Sequence, residues 1–147
     1  MDDGSKLIMC IDDDPEIITL MRLIFRPKGF RLIGAVSGPE GLEVMRRAKP
    51  DLVLLDLMMP GMSGWEVYRR MKADEELKNI PVVIVTVRAQ PIERTIGLHV
   101  FGVDDYITKP FEIRDLVRSV CRVLGVSDSI NDRNGPAFGL SGGAGAA

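Results

Sequence analysis

The chain alternates short apolar runs with stretches in which apolar residues recur every three or four positions. The short runs are rich in branched residues and too short for helices, which is typical of strands buried on both faces. They predict strands over residues 6–11, 30–36, 51–56, 81–87 and 103–108, and the stretches between and after them predict helices over residues 15–26, 38–48, 65–71, 91–100 and 112–124. Because strand and helix alternate, we predict an α/β protein with a parallel sheet, right-handed crossovers and helices on both faces.

Individual elements carry further expectations. Arg31 and Gly34 interrupt the second strand, which an edge position would tolerate. The fourth helix is expected to bury Ile92, Ile96 and Leu98, with Val100 as a further candidate. The fifth helix is expected to bury a regular apolar side that consists of Ile113, Leu116, Val117, Val120 and Leu124.

The composition limits the number of domains and the kinds of partner that we expect. The 147 residues are 46% apolar, which suits one domain with a packed core. The 19 basic and 21 acidic residues are mixed and give a net charge of −2, so neither nucleic acid nor an anionic membrane is expected as a direct partner. The acidic amino-terminal residues do not resemble a secretion signal, and no apolar run reaches membrane-spanning length, so we expect a cytoplasmic protein.

The cysteines, the histidine and the final segment do not change the predicted fold. Cys10 and Cys121 lie within apolar patterns and are expected to be buried, reduced thiols. His99 is the only histidine and has no cysteine or second histidine at ligand spacing. Twelve of the last 21 residues are Gly, Ser or Ala, so we expect one domain over residues 1–126 and a flexible tail or linker stub over residues 127–147.

Side chains that can bind a ligand or take part in a reaction lie at the ends of four of the predicted strands. Asp12 and Asp13 follow the first strand, Asp56 ends the third, Thr86 lies near the end of the fourth, and Lys109 follows the fifth. A single Asp at a strand end is more often a turn former or a helix cap. In a parallel sheet, however, the carboxyl ends of the strands meet at one edge, where ligands bind. The joint occurrence therefore predicts a functional site.

The residue types at this edge indicate phosphoryl chemistry. Three neighbouring carboxylates repel one another and need a cation. Mg²⁺ fits best because it prefers oxygen ligands, whereas zinc would require His or Cys. A carboxylate can also attack phosphorus and form an acyl phosphate. The added charge would be balanced by Mg²⁺, by Lys109 and by a hydrogen bond from Thr86.

These residues resemble the receiver domains of two-component response regulators. The matching segments occur in the order and near the spacing of that family, so the resemblance extends over roughly residues 6–124. They are residues 11–15 (IDDDP), 51–64 (DLVLLDLMMPGMSG), 85–86 (VT) and 104–111 (DDYITKPF).

The resemblance implies a flavodoxin-like, doubly wound five-stranded sheet in the order 2-1-3-4-5, with five helices. It also implies that Asp56 accepts a phosphoryl group from a sensor histidine kinase or a phosphotransfer protein. Asp13 would bind Mg²⁺ directly, Asp12 mainly through water, and the Met58 carbonyl would complete the protein ligands together with Asp56. Such a domain promotes its own phosphorylation and dephosphorylation and is not a turnover enzyme.

The resemblance further implies a two-state switch. Thr86 and Tyr106 match the pair that changes position on phosphorylation and alters the face formed by the fourth helix, fifth strand and fifth helix. That face would meet a downstream target protein or an output domain that this chain does not contain. The Lys109–Pro110 peptide bond is expected to be cis, which would aim the ammonium inward. A homodimer through the fourth and fifth helices stays open, although no motif supports it.

Two positions depart from the family pattern. The residue after Thr86 is usually small in the family, whereas here it is Val87, so we expect altered kinetics of phosphorylation or dephosphorylation. The segment between Thr86 and Tyr106 is about one residue longer than usual, around His99 to Phe101.

Two other classes of function were weighed against a phosphorylation switch. A degenerate receiver would be a protein-binding module that works without phosphorylation, and the intact Asp56, Thr86 and Lys109 argue against it. A true phosphatase or phosphotransferase of similar fold would generally need extra acids and a cap insertion, for which 147 residues leave little room.

Overall fold

Five parallel strands form the centre of the molecule, in the order β2-β1-β3-β4-β5. The structure is a computed structural model that describes residues 4–87 and 90–128. The strands are β1 (Leu7–Ile11), β2 (Arg31–Ala35), β3 (Leu52–Leu55), β4 (Val82–Thr86) and β5 (Asp105–Thr108). This order confirms the predicted flavodoxin-like sheet and the edge position of β2.

The helices connect successive strands and end the described fold. They are α1 (Pro15–Phe25), α2 (Gly38–Ala48), α3 (Gly64–Lys72), α4 (Pro91–Thr95) and α5 (Ile113–Leu124), and a π-helix (Ile96–Phe101) continues α4. Asp14, Ser37 and Ser63 cap α1, α2 and α3 with side-chain oxygens that accept backbone N–H groups. None of the described helices is long and apolar enough to span a membrane.

The sheet separates two apolar layers, because neighbouring side chains of a strand point to opposite faces. On β1, Ile8 and Cys10 face one layer and Met9 and Ile11 face the other. The first layer holds the buried sides of α1 and α5, and the second holds those of α2 and α3. Every residue of β1, β3 and β4 is buried, as the near-continuous apolar runs predicted.

The fourth helical segment differs from its prediction. Ile92, Ile96 and Val100, which we expected on the buried side, are 60%, 36% and 70% exposed, and only Leu98 is partly buried. The physical reason is that this segment approaches the core through Gly97, where an added Cβ atom would lie 3.0 Å from the Tyr106 ring, so the face that the three residues share points to solvent. The π-helix, with its i to i+5 hydrogen bonds, begins only at Ile96. This wider turn lies where the chain is about one residue longer than expected, around His99 to Phe101.

Other expectations have mixed outcomes. Cys10 and Cys121 are buried thiols outside any disulfide, as predicted, and His99 is exposed. Ile113 is 51% exposed at the start of α5, so its predicted burial is wrong. Most of the predicted tail, residues 129–147, lies outside the described residues.

Candidate functional site

The predicted site residues lie at the carboxyl ends of four neighbouring strands. Asp12 directly follows β1, Asp56 directly follows β3, Thr86 is the last residue of β4, and Lys109 directly follows β5. The strands are parallel, so these ends meet at one edge of the sheet. Asp12 and Asp56 are buried, with 2% and 5% of their surface exposed, whereas Asp13 is exposed.

Three carboxylates form an acidic cluster at this edge. Oxygen atoms of Asp12, Asp13 and Asp56 lie within 4.8 Å of one another. Local backbone contacts hold two of the side chains: the Asp14 N–H donates to Asp12 Oδ1 at 2.9 Å, and the Met58 N–H donates to Asp56 Oδ1 at 3.3 Å. The cluster is therefore fixed by the turns that leave β1 and β3.

Gly64 brings the start of α3 against the backbone of Asp56. A Cβ atom at this position would lie 2.2 Å from the Asp56 carbonyl oxygen and 2.8 Å from the Leu57 Cα. The Gly64 N–H donates to the Leu57 carbonyl at 3.1 Å. Because backbone atoms cannot move aside as a flexible side chain can, only glycine fits here, and α3 buttresses the strand end that carries Asp56.

Lys109 supplies a positive charge to the cluster. Its Nζ donates to Asp12 Oδ2 at 2.7 Å, and both side chains are largely buried. Burial alone would lower the pKa of Lys109, but the hydrogen bond and charge of Asp12 outweigh it and the pKa is raised. Lys109 thus stays protonated at neutral pH.

The cluster keeps an excess of negative charge despite this contact. Three carboxylates and one ammonium leave two negative charges when all four groups are ionised. Burial is the largest cause of the raised pKa of Asp12, and the charge of Asp56 adds to it. Hard oxygen donors around an excess negative charge suit a divalent cation such as Mg²⁺. The residues present therefore fit the predicted metal.

Thr86 and Tyr106 lie on the same face of neighbouring strands. Tyr106 pairs with Ile84, two positions before Thr86, so the side chains of Thr86 and Tyr106 point to the same side of the sheet. Thr86 Oγ1 is buried and has no hydrogen-bond partner among the described residues. The Tyr106 ring is 2% exposed and lines a cavity of about 120 Å³ together with Trp65 and Phe101.

An apolar groove beside Lys109 was not predicted from the sequence. It has a volume of about 420 Å³ and is lined by Ile17, Leu20, Val87, Lys109, Pro110, Phe111 and Ile113. Val87, at 58% exposed, stands on this groove. No feature of the sequence marked this groove, because the helical period assigned Ile113 to the core, whereas the residue is 51% exposed.

A polar network on β5 was also missed. Asp105 accepts hydrogen bonds from Ser119 Oγ at 2.6 Å and from Arg122 at 2.9 Å, and Arg94 lies 3.5 Å from its other oxygen. Burial alone would raise the pKa of Asp105, but the hydrogen bonds from Ser119, the Tyr106 N–H and Arg122 lower it. The network joins β5 to α4 and α5 beside Tyr106.

The Lys109–Pro110 peptide bond is cis, as the resemblance implied.

Comparisons with known proteins agree with this geometry. The chain is 38% identical over 120 residues to the DNA-binding response regulator MtrA of Mycolicibacterium smegmatis, an alignment that covers 82% of this chain and 51% of that protein. It is 39% identical over 128 residues to the phosphate regulon transcriptional regulatory protein PhoB of Pseudomonas aeruginosa, covering 85% of this chain and 56% of the relative. The chain thus spans about half the length of these relatives.

Solved structures show the same fold. A crystal structure of a putative response regulator from Chloroflexus aurantiacus matches with a TM-score of 0.76 at 27% identity, covering 83% of this chain and 99% of that one. The receiver domain of a Pseudomonas aeruginosa sensor histidine kinase matches with a TM-score of 0.73 at 26% identity, covering 83% of this chain and 99% of that one, and has a magnesium ion coordinated in its active-site cleft.

The sequence model of one family spans most of the described fold. It is that of the response regulator receiver domain, and it matches residues 8–121, which include every predicted site residue. Together with the strand order and the relatives, this match shows that the chain belongs to the response regulator receiver family of two-component signalling.

Proposed function

We propose that Asp56 is the phosphoacceptor of a signalling switch that receives its phosphoryl group from a sensor histidine kinase or a phosphotransfer protein. The observation that carries this proposal is the cluster of Asp12, Asp13 and Asp56 beside Lys109 at the carboxyl edge of the sheet. A buried carboxylate that ends a central strand is held rigidly and is still reached from the open edge.

Mg²⁺ would be held by Asp12, Asp13, Asp56 and the Met58 backbone carbonyl. When bound, the ion would neutralise charge on the transferred phosphoryl group. Asp12 and Lys109 already bond to each other, so Asp12 would also keep the ammonium at the edge of the cluster. The magnesium site of the kinase receiver domain with the same fold supports this assignment.

Each residue around Asp56 would have a separate role in phosphoryl transfer. A carboxylate oxygen of Asp56 attacks phosphorus, a phosphorus–oxygen bond forms, and the bond to the donor's leaving group breaks. Lys109 would balance the added charge, and the Thr86 hydroxyl would donate a hydrogen bond to a phosphoryl oxygen. The buried Thr86 hydroxyl, which has no partner among the described residues, supports this role. Water later attacks the acyl phosphate and restores Asp56.

Phosphorylation of Asp56 would change the positions of Thr86 and Tyr106. Movement of Thr86 toward the phosphoryl group would vacate space on the face that the Tyr106 ring shares. The cavity of about 120 Å³ that Tyr106 lines supports a change in ring position. The Arg94 and Asp105 contacts on either side of Tyr106 would carry that change to α4 and α5. A changed face of α4, β5 and α5 would then meet a target protein or an output domain.

The apolar groove beside Lys109 indicates where the phosphoryl donor would bind. The apolar groove beside Lys109, which Val87 and Phe111 help to line, supports docking of the protein that donates the phosphoryl group. The relative MtrA is a DNA-binding response regulator, and the alignment with this chain covers only 51% of it. For this chain we propose protein partners only, a cytoplasmic location, and one receiver domain over residues 1–126.

The test is intact-protein mass spectrometry after incubation with Mg²⁺ and acetyl phosphate. We expect one phosphoryl adduct on the full chain that requires Mg²⁺ and is absent in Asp56→Asn. Asp115→Asn, an exposed carboxylate on α5, is the matched control and should keep the adduct. A folded protein that takes up no phosphoryl group from a range of donors would instead favour a binding module that works without phosphorylation.

A further inference from the structure

A second groove lies between α3 and the π-helix, away from the acidic cluster. It has a volume of about 450 Å³ and is lined by Ser63, Trp65, Glu66, Tyr68, Arg69, Lys72, Val100 and Phe101. This volume falls within the range of about 300–1,000 Å³ that is usual for ligand sites. None of the residues in the proposed phosphorylation site lines it.

Aromatic side chains form the apolar part of this α3–π groove. The Trp65 and Phe101 rings lie 4.7 Å apart, and the Trp65 and Tyr68 rings 6.1 Å apart. The Tyr68 hydroxyl donates to the Phe101 carbonyl at 2.7 Å, which fixes the π-helix against α3. The aromatic surface is thus already assembled, and little ordering is needed when a partner binds.

The apolar surface continues out of the groove. Val100 is 70% exposed and Phe101 is 49% exposed, so both present apolar area to solvent at the rim. Exposed apolar area next to a preformed aromatic groove is typical of a site that a partner covers. Because the surface extends beyond the cavity, it suits a peptide segment better than a compact small molecule.

The charged rim determines which peptide fits. Glu66 lies between Arg69 and Arg70, which both pair with its carboxylate, so this group of three has one excess positive charge. Hydrogen bonds from Arg70 and Arg69 lower the pKa of Glu66, which therefore stays ionised. Lys72 adds a second positive charge, with its Nζ 5.2 Å from the Tyr68 ring centroid. The rim is consequently complementary to acidic side chains.

We propose that the α3–π groove is a docking site for an acidic peptide segment of a partner protein, with a bulky apolar side chain placed against Trp65 and Phe101. The site uses α3 as one wall and the π-helix that continues α4 as the other, so it differs from the face of α4, β5 and α5 although it shares the fourth helical segment with it. Its test uses the unphosphorylated chain, so the result is independent of whether Asp56 accepts a phosphoryl group. Val100 and Phe101 belong to the π-helix, which lies where the chain is about one residue longer than the family pattern.

The experiment selects a random peptide library displayed on phage against the full chain, with counter-selection against Val100→Glu. We expect the enriched peptides to have net negative charge and a bulky apolar residue. A synthetic copy without tryptophan is then titrated while the fluorescence of Trp65, the only tryptophan, reports occupancy of the groove. Far-UV circular dichroism confirms that each variant is folded.

The variants separate the apolar and charge contributions. Val100→Glu should weaken binding by about tenfold or more, and Lys72→Gln by about threefold, as loss of one exposed charge contact predicts. Arg118→Gln removes an exposed charge from α5 and should leave binding unchanged. The proposal is overturned if no enriched peptide distinguishes Val100→Glu from the wild type, if the enriched peptides are basic or uncharged, or if Lys72→Gln and Arg118→Gln bind equally well.

Discussion

Asp12 carries opposing electrostatic effects at the acidic cluster. Its pKa is raised, first by burial and further by the charge of Asp56, although the hydrogen bond from Lys109 opposes the shift. A carboxyl group whose pKa is higher in the folded than in the unfolded protein lowers stability as the pH rises through that range. At neutral pH, ionised Asp12 therefore destabilises the metal-free protein.

Asp12→Asn tests this sign directly. The amide removes a buried negative charge and can still accept a hydrogen bond from Lys109, so we expect the melting temperature in EDTA to rise by about 3 °C. The stabilisation that Mg²⁺ gives the wild type should be largely lost. Thermal unfolding followed by circular dichroism, with EDTA or with Mg²⁺, measures both effects.

Asp13→Asn is the matched control for this substitution. Asp13 is exposed, so its charge has little burial cost to relieve. We expect its melting temperature in EDTA to rise less than that of Asp12→Asn, while the Mg²⁺ response is again weakened. A lower melting temperature for Asp12→Asn in EDTA would show that the contact with Lys109 outweighs the burial of the charge.

Val87 lies at the rim of the groove beside Lys109, and we expect its branched side chain to narrow the approach to Asp56. It is 58% exposed, so truncation should hardly change stability. We expect Val87→Ala to accelerate phosphorylation by acetyl phosphate and the subsequent loss of the adduct by about two- to fivefold, which corresponds to a barrier change of about 1 kcal/mol or less. Time courses of the intact mass measure both rates, and equal rates in the two proteins would show that Val87 does not limit access.

The sequence predicted which residues lie at the carboxyl edge of the sheet, because those positions depend only on where the strands end. The apolar runs fixed where β1, β3 and β5 stop, and so located Asp12, Asp56 and Lys109. It could not tell which carboxylate Lys109 would contact, because that depends on distances across the sheet edge. The structure selects Asp12, at 2.7 Å.

At the scale of elements, Asp105 joins β5 to its neighbouring helices. Its carboxylate accepts from Ser119 and Arg122 on α5 and lies near Arg94 on α4. Its pKa is lowered in the folded protein, because these hydrogen bonds exceed the effect of burial. A carboxyl group with a lowered pKa stabilises the fold above its unfolded pKa, and this contribution disappears as the pH falls through the folded value.

Asp105→Asn should therefore destabilise the protein by about 1–2 kcal/mol at neutral pH, since it removes charge-assisted hydrogen bonds. The gap between variant and wild type should be smaller at a pH below the lowered pKa of Asp105, where the wild-type carboxylate is protonated, than at neutral pH. Urea unfolding at the two pH values measures this. Asp115→Asn, on the exposed side of α5, should change little, and a gap that persists in acid would assign the effect to packing.

The helical elements show where prediction from the sequence failed. Ile92, Ile96 and Val100 recur every four residues, a spacing that predicts one buried face of an α-helix. The three residues do share one face, but this face points to solvent, and the segment approaches the core through Gly97 instead. Apolar periodicity cannot distinguish these cases, because the same spacing also describes an exposed apolar stripe.

At the scale of the whole molecule, the sheet order was predicted through the family resemblance. Alternation of strand and helix alone gives a parallel sheet but not its order. The resemblance supplied the order 2-1-3-4-5, and the structure has this order, with β1 and β3 next to each other near the centre of the sheet. The groove beside Lys109 and the α3–π groove could not be predicted, because they depend on how side chains pack between elements.

The unfolding of the two apolar layers can be followed separately, because one layer contains the cysteines and the other contacts the tryptophan. Cys10 and Cys121 belong to the layer of α1 and α5, whereas Trp65 packs on the layer of α2 and α3. Burial raises the pKa of the Cys10 thiol to about 12, so this thiol is nearly unreactive in the folded protein. Thiol labelling therefore reports opening of one half of the molecule, and fluorescence reports opening of the other.

For a protein that unfolds in one cooperative step, labelling and fluorescence should give the same urea midpoint, to within about 0.2 M. Cys10→Ala and Cys121→Ala, each carrying one remaining thiol, would assign the labelling to a strand or to a helix. Labelling that precedes the fluorescence change would show that α1 and α5 separate from the sheet first. The sheet would then act as a partition between two independently melting halves, and a signal on one side could loosen that side alone.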